Sequence, residues 1–187
     1  MPELPEVEVV KRSLNSKVQN LIIKKVKIND GHLRYRIDKN KIKKLVGLKI
    51  KKIKRRSKFL IFFFSKNIIM LVHLGMTGKF FFINQKKIKF KTSFYYTINH
   101  KKDQKHDRII FILNKEQKLI YNDVRKFGFI KLLNYKNFNN CLHLKNLGPE
   151  PLGHNFNLNY FMHYIKGRNR VIKLSLIHIS EPTRLGM

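Results

Sequence analysis

The chain has 187 residues, a formal net charge of +30 and 43% hydrophobic residues. That suits one full domain with the start of a second, and excludes a disordered tail or a low-complexity repeat. A membrane span of ~18 apolar residues, a signal peptide and, with Cys141 as the single cysteine, an intrachain disulfide framework are also excluded, so a cytoplasmic protein without a membrane partner is expected.

Residues 5–14 are predicted as a helix. Pro5 fits its first position, and Glu6 and Glu8 occupy the first turn near the positive end of the dipole. Val7, Val10 and Leu14 recur at helical spacing. Segments 21–28, 48–55, 58–64, 67–74, 108–113, 118–122 and 128–133 are short, rich in Ile, Val and Phe, and predicted as strands. Little helical pattern separates them, which points to an antiparallel sandwich or barrel. Residues 38–46 are predicted as a second helix with Ile42, Leu45 and Val46 inward. The polar, Lys-rich stretch 84–106 is predicted as a long loop. Gly148, Pro149, Pro151 and Gly153 form a breaker cluster that marks a domain boundary or linker. Beyond it, Leu158, Phe161 and Ile165 give 156–166 an amphipathic helical pattern that ends at Gly167.

A charge of +30 attracts polyanions, nucleic acid first among them. Yet 31 of the 41 basic residues are Lys, Ala and Trp are absent, and Ile, Asn and Phe are abundant, as AT-rich codons favour. Charge alone therefore leaves both a nucleic-acid surface and solvated codon drift open, and the placement of particular residues has to decide.

The N-terminus carries a more specific signal. Three of the eleven acidic residues fall within the first eight positions. Capping accounts for Glu6 and Glu8 but leaves Glu3, which precedes the predicted helix. Removal of Met1 would expose the secondary amine of Pro2. An α-amine has a pKa of about 7.7–8.0 against about 10.4 for Lys, so more of it is neutral at physiological pH. A neutral amine can attack an electrophilic carbon and form an iminium, with Glu3 as the adjacent acid/base.

The opening MPELPEVE, together with RRSKFL (55–60), HLGMTG (73–78), KHD (105–107), DVRKFG (123–128) and LGPEPL (147–152), resembles the bacterial formamidopyrimidine-DNA glycosylases. The six motifs keep the family's order and spacing from residue 1 to about 173. The resemblance implies an α+β, mainly β fold: an antiparallel two-sheet β-sandwich with flanking helices over 1–135, a linker over 136–153, and the start of a helix-two-turn-helix domain over 154–173. It implies a bifunctional DNA glycosylase and AP lyase that removes oxidised purines, such as 8-oxoguanine and formamidopyrimidines, from damaged double-stranded DNA. Pro2 would attack C1′ of the damaged nucleotide, Glu3 would protonate during base release and ring opening, and Lys58 would be the general acid of β-elimination. Glu6 would help position the lesion. Met76, Arg125 and Phe127 match the trio that fills the gap left by the everted base, with Arg125 facing the orphaned partner. His106 and Arg168 match positions that contact phosphate, assisted by Arg55 and Arg56. The bland readings are core packing for Met76 and Phe127, a surface loop for His106, and a solvated lysine for Lys58. A monomer working at the bacterial nucleoid is implied.

The resemblance also implies zinc in the full-length family, held by a four-cysteine finger beyond this chain's last residues. Cys141 alone cannot build such a site, which needs about four ligands, and no metal site is expected here. Residues 174–187 contain neither Lys nor Asn. The run LSLIHISEPTR (174–184) resembles the translation of a transposase adapter, which implies a non-native tail on a truncated gene product. Two rivals stand beside the main reading: an endonuclease VIII-type glycosylase for oxidised pyrimidines, and a basic nucleic-acid-binding module without catalysis.

Overall fold

The computed structural model describes residues 2–84, 87–91, 104–167, 169, 171 and 172. The chain divides into two compact units, Met1–Lys136 and Asn137–Met187. The expected tail over 174–187 and the phosphate-contact candidate Arg168 lie outside the described residues.

In the first unit, helix α1 (Leu4–Val18) buries Val7, Val10, Leu14 and Val18, a stripe at three- and four-residue steps that faces the core. The stripe extends one turn past the predicted end, because Val18 continues the apolar face. Asn20, at φ 68°, then reverses the chain, and its N–H donates to Ile50 O at 2.8 Å. Strand β1 (Ile23–Ile28) follows. Helix α2 (Lys39–Lys43) is shorter than the pattern over 38–46 suggested. Ile42 and Leu45 are buried, whereas Val46 is 46% exposed, a departure from its predicted inward position.

Eight more strands complete the unit: β2 (Ile50–Arg56), β3 (Phe59–Phe64), β4 (Ile68–His73), β5 (Lys79–Asn84), β6 (Lys87–Lys91), β7 (Asp107–Leu113), β8 (Lys118–Asn122) and β9 (Phe129–Asn134). They form a five-stranded sheet in the order β1-β7-β8-β5-β6 and a four-stranded sheet in the order β2-β3-β4-β9. Every strand pair is antiparallel. The result is the expected two-sheet sandwich rather than a closed barrel. Leu60, Phe62 and Phe64 of β3, Met70 and Val72 of β4, Phe80 and Phe82 of β5, and Ile109 and Phe111 of β7 join one core with the α1 stripe. Each such side chain contributes roughly 1.5–3 kcal/mol by leaving water.

Two strands depart from the sequence reading. Strand β5 begins directly after the HLGMTG turn, and a continuous Phe-Phe-Phe run lacks the alternation that marks a half-buried strand. Strand β6 lies inside the predicted loop 84–106: the alternation Lys-Ile-Lys-Phe-Lys over 87–91 has a period of two, but lysine density disguised it as a solvated loop. Residues 92–103 of that loop lie outside the described residues.

In the second unit, a short helix α3 (Leu142–Lys145) precedes the breaker cluster. Helix α4 (Leu158–Ile165) follows, capped by Asn157, whose side chain accepts from Tyr160 N at 2.9 Å. Phe161 and Ile165 are half-buried, whereas Leu158, predicted on the same apolar face, is exposed.

Candidate active site

Pro2 lies half-buried immediately before α1. Glu3 is the N-cap residue of that helix: its side chain reaches the backbone N–H of Glu6, and the Glu6 carboxylate accepts from Glu3 N in return. This reciprocal capping box satisfies two of the helix's otherwise orphaned N–H groups. It also gives Glu3 a structural place that the sequence did not reveal, one residue earlier than the predicted start would allow. Capping fixes the direction in which the chain enters the helix, and so fixes where Pro2 sits.

The β2–β3 turn approaches this cap. Ser57 adopts a left-handed backbone (φ 51°), which tightens the turn and delivers Lys58. Lys58 is buried, at 4% exposure, and its Nζ stands 2.8 Å from Glu3 Oε2. A second bridge runs alongside. Arg55 Nε donates to Glu8 Oε2 at 3.0 Å, and Arg55 Nη1 donates to Ser57 O at 3.0 Å. Glu8 Oε1 also meets Lys11 Nζ at 2.7 Å and Arg12 Nε at 2.9 Å. Partial burial pushes the Glu8 carboxyl up, but hydrogen bonds from Lys11, Arg12 and Arg55 outweigh it and hold the group at about 2, against an ordinary 4.5. The first turns of α1 and the β2–β3 turn are thus joined twice. Sequence reading placed Arg55 at a phosphate; with 13% of its side chain exposed, the guanidinium is committed to Glu8 and the turn.

The strand register gathers the remaining candidates at one edge of the four-stranded sheet. Phe59, next to Lys58, pairs with His73, and His73 pairs with Phe129. The His73 ring lies 5.2 Å from Phe59 and stacks on Phe129 at 5.6 Å. Its Nδ1 accepts from Gly75 N at 3.1 Å. Lys58, the 74–78 turn and the 123–128 loop therefore leave adjacent strand ends. His73 was not singled out from the sequence, because an apolar-flanked histidine at a strand end is the ordinary pattern of a core residue.

The 74–78 turn and the 123–128 loop are locked together. Asp123 is fully buried. Its Oδ1 accepts from Thr77 Oγ1 at 2.5 Å and its Oδ2 from Gly128 N at 2.9 Å. Thr77 Oγ1 in turn accepts from Arg125 N at 3.0 Å. A Cβ on Gly75 (φ 62°) would stand 2.5 Å from Gly128 N, and one on Gly128 would stand 1.9 Å from the Tyr121 hydroxyl. On this frame Met76 and Phe127 project, at 45% and 46% exposure, which sets aside core packing for both. The Arg125 guanidinium lies 4.6 Å over the Phe127 ring. His106 closes a short 3₁₀ turn (Gln104–His106), and its carbonyl accepts from Asp123 N at 3.1 Å. Pro2, Glu3, Glu6 and Lys58 thus form one cluster, and Met76, His106, Arg125 and Phe127 belong to the loops of another.

Among the described residues no group of three or more His, Cys, Asp or Glu side chains comes together as a metal site. With one cysteine in the chain, the residues present do not fit the four-cysteine zinc site that the resemblance implies for the family.

The sandwich and its N-terminal helix fall within a DNA glycosylase class: the family model described as the formamidopyrimidine-DNA glycosylase N-terminal domain matches residues 1–130. The chain belongs to the formamidopyrimidine-DNA glycosylase family. Similar proteins include the formamidopyrimidine-DNA glycosylases of a Bradyrhizobium species (34% identical over 177 residues, covering 95% of this chain and 60% of that protein) and of Rickettsia bellii (36% over 175 residues, 92% and 58%). The Lactococcus lactis Fpg solved in complex with DNA containing an abasic site is 27% identical, with a TM-score of 0.77 over 96% of this chain and 62% of that one. The chain spans about 60% of the length of the curated relatives it matches.

Proposed function

We propose that the protein is a base-excision repair glycosylase and AP lyase that removes 8-oxoguanine and formamidopyrimidines from duplex DNA. The observation that carries this reading is the 2.8 Å contact of Glu3 with the buried Lys58, beside Pro2, on the sheet edge from which the Met76 and Phe127 tips project. Damaged double-stranded DNA is the partner, bound by a monomer at the bacterial nucleoid.

The chemistry starts with the neutral amine of Pro2, exposed by loss of Met1. Its nitrogen bonds to C1′ as the bond from C1′ to the purine N9 breaks, and the base leaves with a proton. Glu3 supplies and recovers protons: the ring oxygen O4′ is protonated as its bond to C1′ breaks, and the nitrogen, having lost its own proton, forms an iminium. The iminium makes the C2′ proton acidic. Its loss expels the 3′ phosphate, which the Lys58 ammonium protonates as general acid; loss of the C4′ proton, acidified through the conjugated iminium, then drives a second elimination that breaks the C5′–O5′ bond and expels the 5′ phosphate. Water then hydrolyses the iminium and frees Pro2. Glu6, committed to the capping box, fixes the cap against which the lesion is positioned.

An everted base leaves a gap whose lost stacking costs a few kcal/mol. Met76 and Phe127 are the apolar wedges that fill it, and Arg125 faces the orphaned base. His106 and Arg168 hold phosphates and set register without reading sequence. The test is release of base by the complete gene product from duplexes carrying 8-oxoguanine or thymine glycol. Faster release of 8-oxoguanine is expected. Preferential release of thymine glycol supports the endonuclease VIII type instead, and tight binding with no base release supports a non-catalytic module.

A further inference from the structure

The 123–128 loop has an anchor that none of the roles above uses. Arg108, on β7, is 5% exposed, and its guanidinium is spent on three acceptors. Nε donates to Asp123 O at 2.8 Å, Nη2 to Val124 O at 3.4 Å and Nη1 to Asp30 Oδ2 at 2.7 Å. The backbone closes the same knot, because Asn29 N donates to Arg108 O at 3.0 Å. Asp30 Oδ2 also meets Lys126 Nζ at 2.9 Å. Lys126 is the loop residue in the left-handed region (φ 61°), a backbone state that a non-glycine side chain adopts at a cost and keeps only where its surroundings hold it. It stands between Arg125 and Phe127, so the backbone at Lys126 governs where both side chains point. From the far end, Gly128 O accepts from Arg34 N at 3.0 Å.

We infer that Arg108, oriented by Asp30, is a positioning residue that presets the loop carrying Arg125 and Phe127, and thereby sets discrimination at the base opposite the lesion. This rests on the proposed role of that loop in duplex DNA. The reason is geometric. A planar fork with two carbonyls and one carboxylate as acceptors fixes both the distance and the twist of the loop entrance. Lys126 is then drawn to the same carboxylate, which holds its left-handed backbone. Discrimination between partner bases depends on Arg125 meeting a base edge within hydrogen-bond geometry. A loop free to wander forfeits that contact while leaving Pro2, Glu3 and Lys58 in place.

The test compares the complete gene product with its R108Q, R108K and D30N variants under single-turnover conditions. Three rates are read: 8-oxoguanine excision opposite dC, excision opposite dA, and borohydride trapping on a single-stranded abasic oligonucleotide, which has no opposing base. The expected result is a loss of about fivefold or more in the dC-to-dA ratio for R108Q and D30N, with trapping on the single strand within about twofold of the parent. R108K, which keeps the charge but not the fork, should recover the ratio only in part. An unchanged ratio in both variants overturns the proposal, as does an equal fall in all three rates, which would mark Arg108 as a folding residue only. If the parent itself forms no adduct with abasic DNA, the catalytic reading fails and takes this inference with it.

Discussion

At the scale of single residues, Glu8 meets three cationic side chains, those of Lys11, Arg12 and Arg55. A group held at about 2 in the folded protein and at 4.5 otherwise stabilises the fold above the higher value and loses that contribution as pH falls from 4.5 towards 2. The carboxylate is partly open to solvent, so screening reduces its worth. We expect E8Q to lower stability at neutral pH by about 1–2 kcal/mol. Urea unfolding at a series of pH values checks this: the gap between parent and E8Q should close between pH 4.5 and 2, and a gap independent of pH would show that the Glu8 charge contributes nothing. Gly128 is a second such position. A methyl group there meets the buried Tyr121 hydroxyl at 1.9 Å and His73 O at 2.8 Å, and neither neighbour can retreat from a packed sheet edge. G128A should cost about 2–3 kcal/mol, read as a lower thermal midpoint, whereas G47A, with open space around its Cβ despite φ 81°, should cost less.

At the scale of elements, the Glu3–Lys58 and Glu8–Arg55 bridges tie the start of α1 to the β2–β3 turn, and the second involves no residue with a proposed chemical role. Arg55 acts through geometry, holding Glu8 with one nitrogen and the Ser57 carbonyl with another. R55K retains the charge but cannot satisfy both acceptors. We expect it to lower the yield of borohydride-trapped adduct by about tenfold or more, because a displacement of ~1 Å at a reacting group costs up to about a hundredfold, while DNA affinity changes little. A parallel loss of affinity would place Arg55 on a phosphate after all. The helix stripe Val7, Val10 and Leu14 and seven of the nine strands among the described residues were legible in the sequence, because their periodicity is local. Strands β5 and β6 were not: one is apolar throughout, and the other alternates with lysines that mimic a loop. The candidate site shows the same division. Pro2, Glu3 and Lys58 stood out through chemistry and motif. The Glu8–Arg55 bridge and the Asp30–Arg108 knot depend on pairings between distant segments, for which no periodicity leaves a trace.

At the scale of the whole molecule, the charge of +30 poses the question of which cations meet DNA. Lys24, Lys25 and Lys27 on β1 are exposed, on a strand other than those that flank the 74–78 and 123–128 loops, whereas the exposed Lys51, Lys52 and Lys54 lie on β2, which leads into the Lys58 turn. Their abundance fits solvated codon drift. Replacing the three β1 lysines by Gln should leave the salt dependence of duplex binding within about one unit of slope, whereas removing a cationic phosphate contact, as in R168Q, should lower the slope by about one. A fall of about three on replacing the β1 lysines would instead make that strand part of the DNA interface. On the proposed function, the capped N-terminus presents the amine of Pro2. Borohydride trapping of the complete gene product on duplex DNA containing 8-oxoguanine, followed by peptide mapping of the adduct, tests it most directly. A single adduct on the nitrogen of Pro2, with Met1 removed, is expected; an adduct on a lysine, or none, would rule out Pro2 as the nucleophile.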